Sequence, residues 1–205
     1  MYVPTHFTPG DEDVLELLAN HGAADLVTHG PAGFDATMLP FVYDPAESAL
    51  LGHVARNNDH WKRADGQPAL VIMRGPNFYV TPSWYASKAE HGRVVPTWNY
   101  VTAHVHGTVT VHDDVDWLEA VVRRLTDLHE AGRETSWSVD DAPEKYLRGQ
   151  LRAIVGIEVR IERIEAKFKL SQNRPAADID GVVAGLRSAG DVPAAAAVES
   201  HRPLG

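Results

Sequence analysis

The chain has 205 residues, enough for one sizeable domain with a real core, and an ordinary soluble balance of 44% hydrophobic and 23% charged residues. It has no cysteine, which excludes disulfides, thiolate metal sites and cysteine nucleophiles, and no apolar run approaches the roughly 20 residues a membrane span needs. Its net charge of −9, with no basic cluster beyond Arg123-Arg124 and a glutamate-interleaved 160–169, argues against direct DNA binding, whose affinity comes largely from phosphate contacts.

Residues 8–21 read as a helix. Thr8 is placed to cap, Pro9 suits the first position, and Asp11, Glu12 and Asp13 complement the dipole. Val14, Leu17 and Leu18 form its apolar stripe, and Gly22 ends it. The opening Tyr2, Pro4 and His6 are unlike a signal peptide, which points to a cytoplasmic, bacterial-type protein. Strands follow at 23–28, 34–43 and 49–55, separated by the turns at 29–33 and Asp44-Pro45, a spacing that suits antiparallel pairing.

The third strand runs into His53, Arg56, Asn57, Asn58, Asp59 and His60. A guanidinium with amides at a strand end suits a phosphate cradle, or simply a solvated strand end. A short strand at 69–74 leads into 75–100, the most unusual stretch of the chain. Phe78, Tyr79, Trp84, Tyr85, Trp98 and Tyr100 alternate there with Asn77, Thr81, Ser83, Ser87, Thr97 and Asn99, and Pro76, Pro82 and Pro96 forbid a continuous helix. This mixture suits a flat aromatic ligand with a polar tail. It also suits a proline-rich connection whose rings fill a core or a subunit interface. Residues 86–94 form a hydrophilic loop or short helix in which Lys88 or Arg93 can meet an anion.

Residues 101–111 alternate cleanly, with Val101, Ala103, Val105, Val109 and Val111 on one face and His104 and His106 on the other. His-x-His on a strand can bind zinc or iron, but no third ligand is evident, so no metal is expected and a face toward water, partner or ligand is preferred. Residues 114–131 are a capped amphipathic helix carrying Val115, Leu118, Val122, Leu125 and Leu128, closed by Gly132. Asp141 is placed to cap a further helix ending near Leu151. In the long strand 156–170, Ile157, Val159 and Ile161 share one parity and Ile164, Ala166, Phe168 and Leu170 the other. A bulge or bend near Glu162-Arg163 follows, as a sheet curling into a barrel requires. A helix at 178–189 closes a single domain, 1–190, and 191–205 reads as a flexible tail. Six or seven strands with helical additions and no βαβ rhythm give a mainly β (α+β) antiparallel barrel.

The strings 75–88 and 95–100 resemble the PaiB family of FMN-binding negative transcriptional regulators. The stretches 1–7, 52–61 and Lys169-Leu-Ser-Gln-Asn-Arg174 agree with it, so the resemblance runs from the first residue to about Leu186. It implies a split β-barrel of the FMN-binding type that works as a homodimer with the cofactor at the subunit interface. Within the matching stretches, cation and amide or hydroxyl chemistry nominates Arg56, Asn57, Ser83 and Lys88 for an FMN phosphate, with His53 in the same stretch as Arg56. Aromatic and amide chemistry nominates Trp84, Tyr85, Trp98, Asn99 and Gln172 for the isoalloxazine ring. Met38 stands where relatives are expected to carry histidine. The function implied is a flavin-binding regulator or sensor. A flavin oxidoreductase of the pyridoxamine phosphate oxidase or flavin reductase kind is the alternative. A haem binder using His53, His104 or His106 is a second alternative.

Overall fold

The computed structural model describes residues 1–20 and 22–203; the helix end expected at 21 and the last two residues of the tail lie outside the described residues. Among the described residues there are six strands: β1 (Ala23–Gly30), β2 (Gly33–Asp44), β3 (Ala49–Ala55), β4 (Pro68–Val80), β5 (Thr97–His112) and β6 (Ile154–Lys169). The α-helices among the described residues are α1 (Asp11–Asn20), α2 (Trp61–Ala64), α3 (Ser87–His91), α4 (Val115–Glu130), α5 (Glu144–Leu151), α6 (Ala176–Ser188) and α7 (Val192–Ser200). Where one domain is expected, the chain divides into two compact units. Unit 1 comprises 1–14, 74–103 and 165–205; unit 2 comprises 15–73 and 104–164. Strands β4, β5 and β6 each contribute residues to both.

Unit 2 is built on a closed antiparallel barrel in the order β1-β2-β3-β6-β5-β4. Leu26 pairs with Thr37 and Val71, and Leu50 with Val159, so alternate side chains point inward together. Leu26, Phe41, Leu50, Val71, Met73, Val105 and Ile157 are each at most 1% exposed and form the barrel core. Burying each contributes roughly 2 kcal/mol. The parity change expected in β6 is present: Val155, Ile157 and Val159 are buried near its start, Phe168 and Leu170 at its end, and the consecutive Glu162 and Arg163 are both exposed.

Helix α4 starts where Asp114 accepts a hydrogen bond from Trp117 N at 2.8 Å. Its buried stripe is Leu118, Val121 and Leu125, one position away from the expected Val122. Val121 and Leu125 pack on Ala49 and Leu51 of β3. Asp141 does not cap α5. Its carboxylate accepts from Ser138 N at 2.8 Å, closing a capping box on the short 3-10 turn Val139–Asp141, and Pro143 precedes α5 instead.

A buried polar network ties the barrel's first hairpin to the segment after β3. His60, 3% exposed, lies 2.8 Å from Thr28 Oγ1 through Nε2 and 2.9 Å from Thr37 Oγ1 through Nδ1. Thr37 Oγ1 also accepts from Asn58 Nδ2 at 3.1 Å, and of the two ring nitrogens of the neutral imidazole one donates to its threonine hydroxyl and the other accepts. Burial, aided by Arg63 and opposed by Asp35, pulls this histidine below the usual 6.5. The unfolded chain therefore takes up a proton more readily, and stability is expected to fall as pH drops below about 6.5 until the folded value is passed. His60→Ala removes the ring partner of two threonine hydroxyls and is expected to cost about 2 kcal/mol at pH 7.5 while flattening that acid dependence. Urea melts at pH 7.5 and 5.5 check it; a variant with an unchanged acid slope would assign the dependence elsewhere.

In unit 1, α6 and α7 pack together through Ile179, Val182, Val183 and Leu186 against Ala194, Ala195 and Val198. The segment expected as a flexible tail is thus a packed helix. Its alanines are small enough for close approach, Asp191 caps it at Ala194 N (3.2 Å), and Arg187 pairs with Glu199 at 2.7 Å.

Candidate functional site

Seven of the ten expected site residues fall in unit 1: Ser83, Trp84, Tyr85, Lys88, Trp98, Asn99 and Gln172. His53, Arg56 and Asn57 fall in unit 2. Strand β4 runs through Pro76 to Val80, with Phe78 and Val80 buried and Tyr79 50% exposed. A strand tolerates proline where the missing N–H is not needed by the ladder. Thr81 then accepts from Ser83 N at 3.2 Å and caps the 3-10 turn Pro82–Trp84, whose end leads directly into α3.

This turn brings Ser83 and Lys88 together. The Lys88 ammonium donates to Ser83 Oγ at 3.0 Å, both are exposed, and among the described residues no carboxylate lies within ion-pair distance of Lys88. A hydroxyl and an uncompensated ammonium side by side have the donor chemistry of a phosphate site. Unit 1 carries eight Lys and Arg against nine Asp and Glu, so the acid excess of the chain lies in unit 2.

Trp84 and Tyr85 pack against the C-terminal part of the same unit. The Trp84 indole lies over Gly185 of α6, and the Tyr85 ring is buried beneath the Arg174 guanidinium, 4.5 Å from its centroid. Burial pushes the Tyr85 hydroxyl above its usual 10.0, with Arg174 opposing. Trp98 is 52% exposed and tilts toward Tyr79 at 6.3 Å, an aromatic pair open to solvent. Its neighbour Asn99 is 1% exposed: Nδ2 donates to Ser171 Oγ at 2.8 Å, whereas Oδ1 is buried with no partner among the described residues. An orphaned amide oxygen is uncommon in a folded chain.

Two nominated residues are occupied otherwise. Gln172 turns back on its own strand, its Oε1 accepting from Leu170 N and its Nε2 donating to Phe168 O, both at 2.7 Å. It supports the turn in which Ser171 adopts φ +71 and is not a free amide. Arg56 donates Nε to Arg152 O (2.7 Å), Nη1 to Asp113 (3.0 Å) and Nη2 to both Asp113 and Ile154 O (3.0 Å). Four of its five N–H groups are thereby spent on a clamp that holds the end of β3 to the start of β6. Asn57 is exposed beside it. His53 is held below the usual 6.5 by burial, with Nδ1 unpartnered among the described residues.

Sequence reasoning missed Lys169, Arg174, Asp178, Gly181 and Gly185 as parts of this arrangement. Lys169 donates to Thr97 Oγ1 and, at 2.6 Å, to Trp98 O; burial, then Lys167 and Arg174, pull its pKa below 10.5. Asp178, 1% exposed, accepts from Ser87 N at 2.9 Å and Ser87 Oγ at 3.0 Å. The available signal was the stretch 169–174 itself. Its role depends on partners some 70 residues away that no local period reveals.

Residues 1–163 match the family model described as "Putative FMN-binding domain". The chain belongs to this FMN-binding family, and it is of the PaiB type. It is 29% identical over 192 residues, 92% of this chain and 90% of the other, to protease synthase and sporulation protein PAI 2 of Bacillus subtilis. An uncharacterised protein of Aspergillus fumigatus is 33% identical over 197 residues, covering 74% of this chain and 76% of its own. The family thus extends to fungi, and membership does not imply a bacterial source. Among solved structures, the FAD and haem binding protein of Mycobacterium smegmatis superposes with a TM-score of 0.59 at 18% identity, over 86% of this chain and 78% of that one. A conserved hypothetical protein of Mycobacterium tuberculosis gives 0.61 at 8% identity, over 85% and 94%. These likenesses show the fold, a split barrel with added helices. No helix among the described residues is long and apolar enough to cross a membrane.

Proposed function

We propose that the protein binds FMN through unit 1 and works as a flavin-dependent sensor or regulator of the PaiB type. The observation that carries the reading is the exposed Ser83–Lys88 pair, an ammonium with no carboxylate in ion-pair reach among the described residues, in a strongly acidic chain of an FMN-binding family. Ser83 and Lys88 would hold the phosphate. Trp98, with Tyr79 beside it, would offer the ring an aromatic wall. Trp84, Tyr85 and Gln172 shape the stretch, and Arg56 steadies the strand end that presents His53 and Asn57. Bound FMN supplies one- and two-electron redox chemistry.

The partner we propose is a second copy. On the outer face of β2, Phe34 (80% exposed), Ala36 and Met38 (70%) form a row beside Val27 of β1. An apolar row of this kind in water favours being covered. The net charge disfavours sequence-specific duplex binding, so regulation would run through the flavin or a protein partner.

Incubating the purified protein with FMN, dialysing and recording the spectrum tests the reading. Absorbance near about 450 nm retained with the protein supports it, and a colourless protein sinks it; a band near about 400 nm would favour haem. Flavin-coupled NAD(P)H consumption would move the assignment to a flavin oxidoreductase. Sedimentation in the same buffer reports the dimer.

A further inference from the structure

We propose that α6, which lies beyond the span matched by the family model, is the positioning element of the flavin site, and that Gly181 and Gly185 are its positioning residues. This rests on the FMN reading above and extends it to residues that touch no cofactor. Asp178, Gly181 and Gly185 sit at i, i+3 and i+7, so they share one stripe of the helix. The apolar Ile179, Val182, Val183 and Leu186 lie beside this stripe on the adjoining side of the helix. The stripe therefore offers one carboxylate followed by two gaps.

All three features engage the motif stretch. A Cβ at Gly181 would overlap the carbonyl oxygen of Trp84 and stand 3.0 Å from its carbon. A Cβ at Gly185 would overlap the indole, 2.6 Å from Cγ. Asp178 grips Ser87 two residues beyond Tyr85. Two glycines inside a helix cost it about 2 kcal/mol against alanine. That cost has a structural return here, because only the absence of side chains lets the Trp84 backbone and ring approach. The same turn sets Ser83 and starts α3, which carries Lys88. The height of Trp84 over α6 thus fixes where the hydroxyl and the ammonium stand.

The test compares Gly181→Ala, Gly185→Ala and, as a control, Gly149→Ala in α5, where an added Cβ meets nothing within 4 Å. FMN dissociation constants are measured by flavin fluorescence, and the Trp84 indole N–H resonance, assigned with Trp84→Phe, reports its environment without cofactor. Both α6 variants should weaken FMN at least tenfold and shift the Trp84 resonance, with the control within twofold and unshifted. The Trp84→Leu background removes the ring that Gly185→Ala displaces, so there Gly185→Ala should change the affinity less than twofold. If Gly185→Ala fails to fold alone, Gly185→Ala/Trp84→Leu should restore folding. Wild-type affinity in Gly185→Ala, an unshifted resonance, or a full effect that persists in the Trp84→Leu background overturns the proposal. Absence of FMN binding by the wild type would sink the flavin reading alone, and the resonance and folding rescue would still decide the role of α6.

Discussion

Asp178→Ala is expected to cost about 3–4 kcal/mol of folding stability, the largest single-site effect proposed for this chain. The carboxylate is 1% exposed and accepts two hydrogen bonds, at 2.9 and 3.0 Å, from the main-chain N–H and the hydroxyl of Ser87. Hydrogen bonds to a charged group are worth more than neutral ones, and truncating the acceptor leaves two buried donors without water or partner. Alanine favours a helix over aspartate by less than 1 kcal/mol, far too little to offset this. Asp178→Asn keeps one amide oxygen and should recover about half the loss. Urea denaturation with a constant m-value measures both; a loss under about 1 kcal/mol in the alanine variant would mean that Ser87 finds another acceptor and that α3 is not held by α6. The site should register the change as well, because α3 carries Lys88 in its first turn.

Lys88→Glu is expected to weaken FMN about a hundredfold, with Lys88→Ala and Ser83→Ala each roughly tenfold or more, since charge-assisted bonds to phosphate are each worth roughly 1.5–3 kcal/mol. The reversal adds repulsion in a chain already at −9. The wild-type affinity should fall as salt is raised, and that slope should be shallower in Lys88→Ala. Arg56→Ala supplies the contrast. Its guanidinium is spent on Asp113 and two carbonyls, so this variant should melt earlier while its FMN affinity stays closer to wild type than that of Lys88→Ala. Fluorescence titration and thermal melts of the two variants decide the matter. An Arg56→Ala variant with full stability and lost FMN binding would return the phosphate to Arg56, as the sequence pattern first implies.

Both predictions turn on contacts that local pattern reading reaches only in part. Strand β3 was legible to the residue, because its apolar run is bounded by turn residues on one side and by Arg-Asn-Asn on the other. The β5 alternation and the parity change in β6 announced a curled sheet, because side chains on a strand must alternate and a break in that alternation has few geometric causes. Arg56 reads as a free cation because a one-dimensional pattern shows residue type and not occupancy. Its acceptors lie 57 to 98 residues away. The segment 192–200 reads as a tail by its alanine-rich, weakly amphipathic composition, and becomes a helix because α6 presents a small-residue-compatible face to it.

The sequence by itself determined the antiparallel barrel, the family and the chemical character of residues 75–100, since periodicity, turn residues and side-chain type are local properties. Only the tertiary structure decided which of the candidate site groups are committed elsewhere and which are not: Lys88 with no carboxylate in reach among the described residues, Arg56 clamped to Asp113, Gln172 folded back, and Trp84 seated on two glycines. The reason is that a hydrogen bond or a missing Cβ acts through distance in space, and folding brings together positions such as Ser87 and Asp178, 91 residues apart, whose pairing leaves no trace in either neighbourhood.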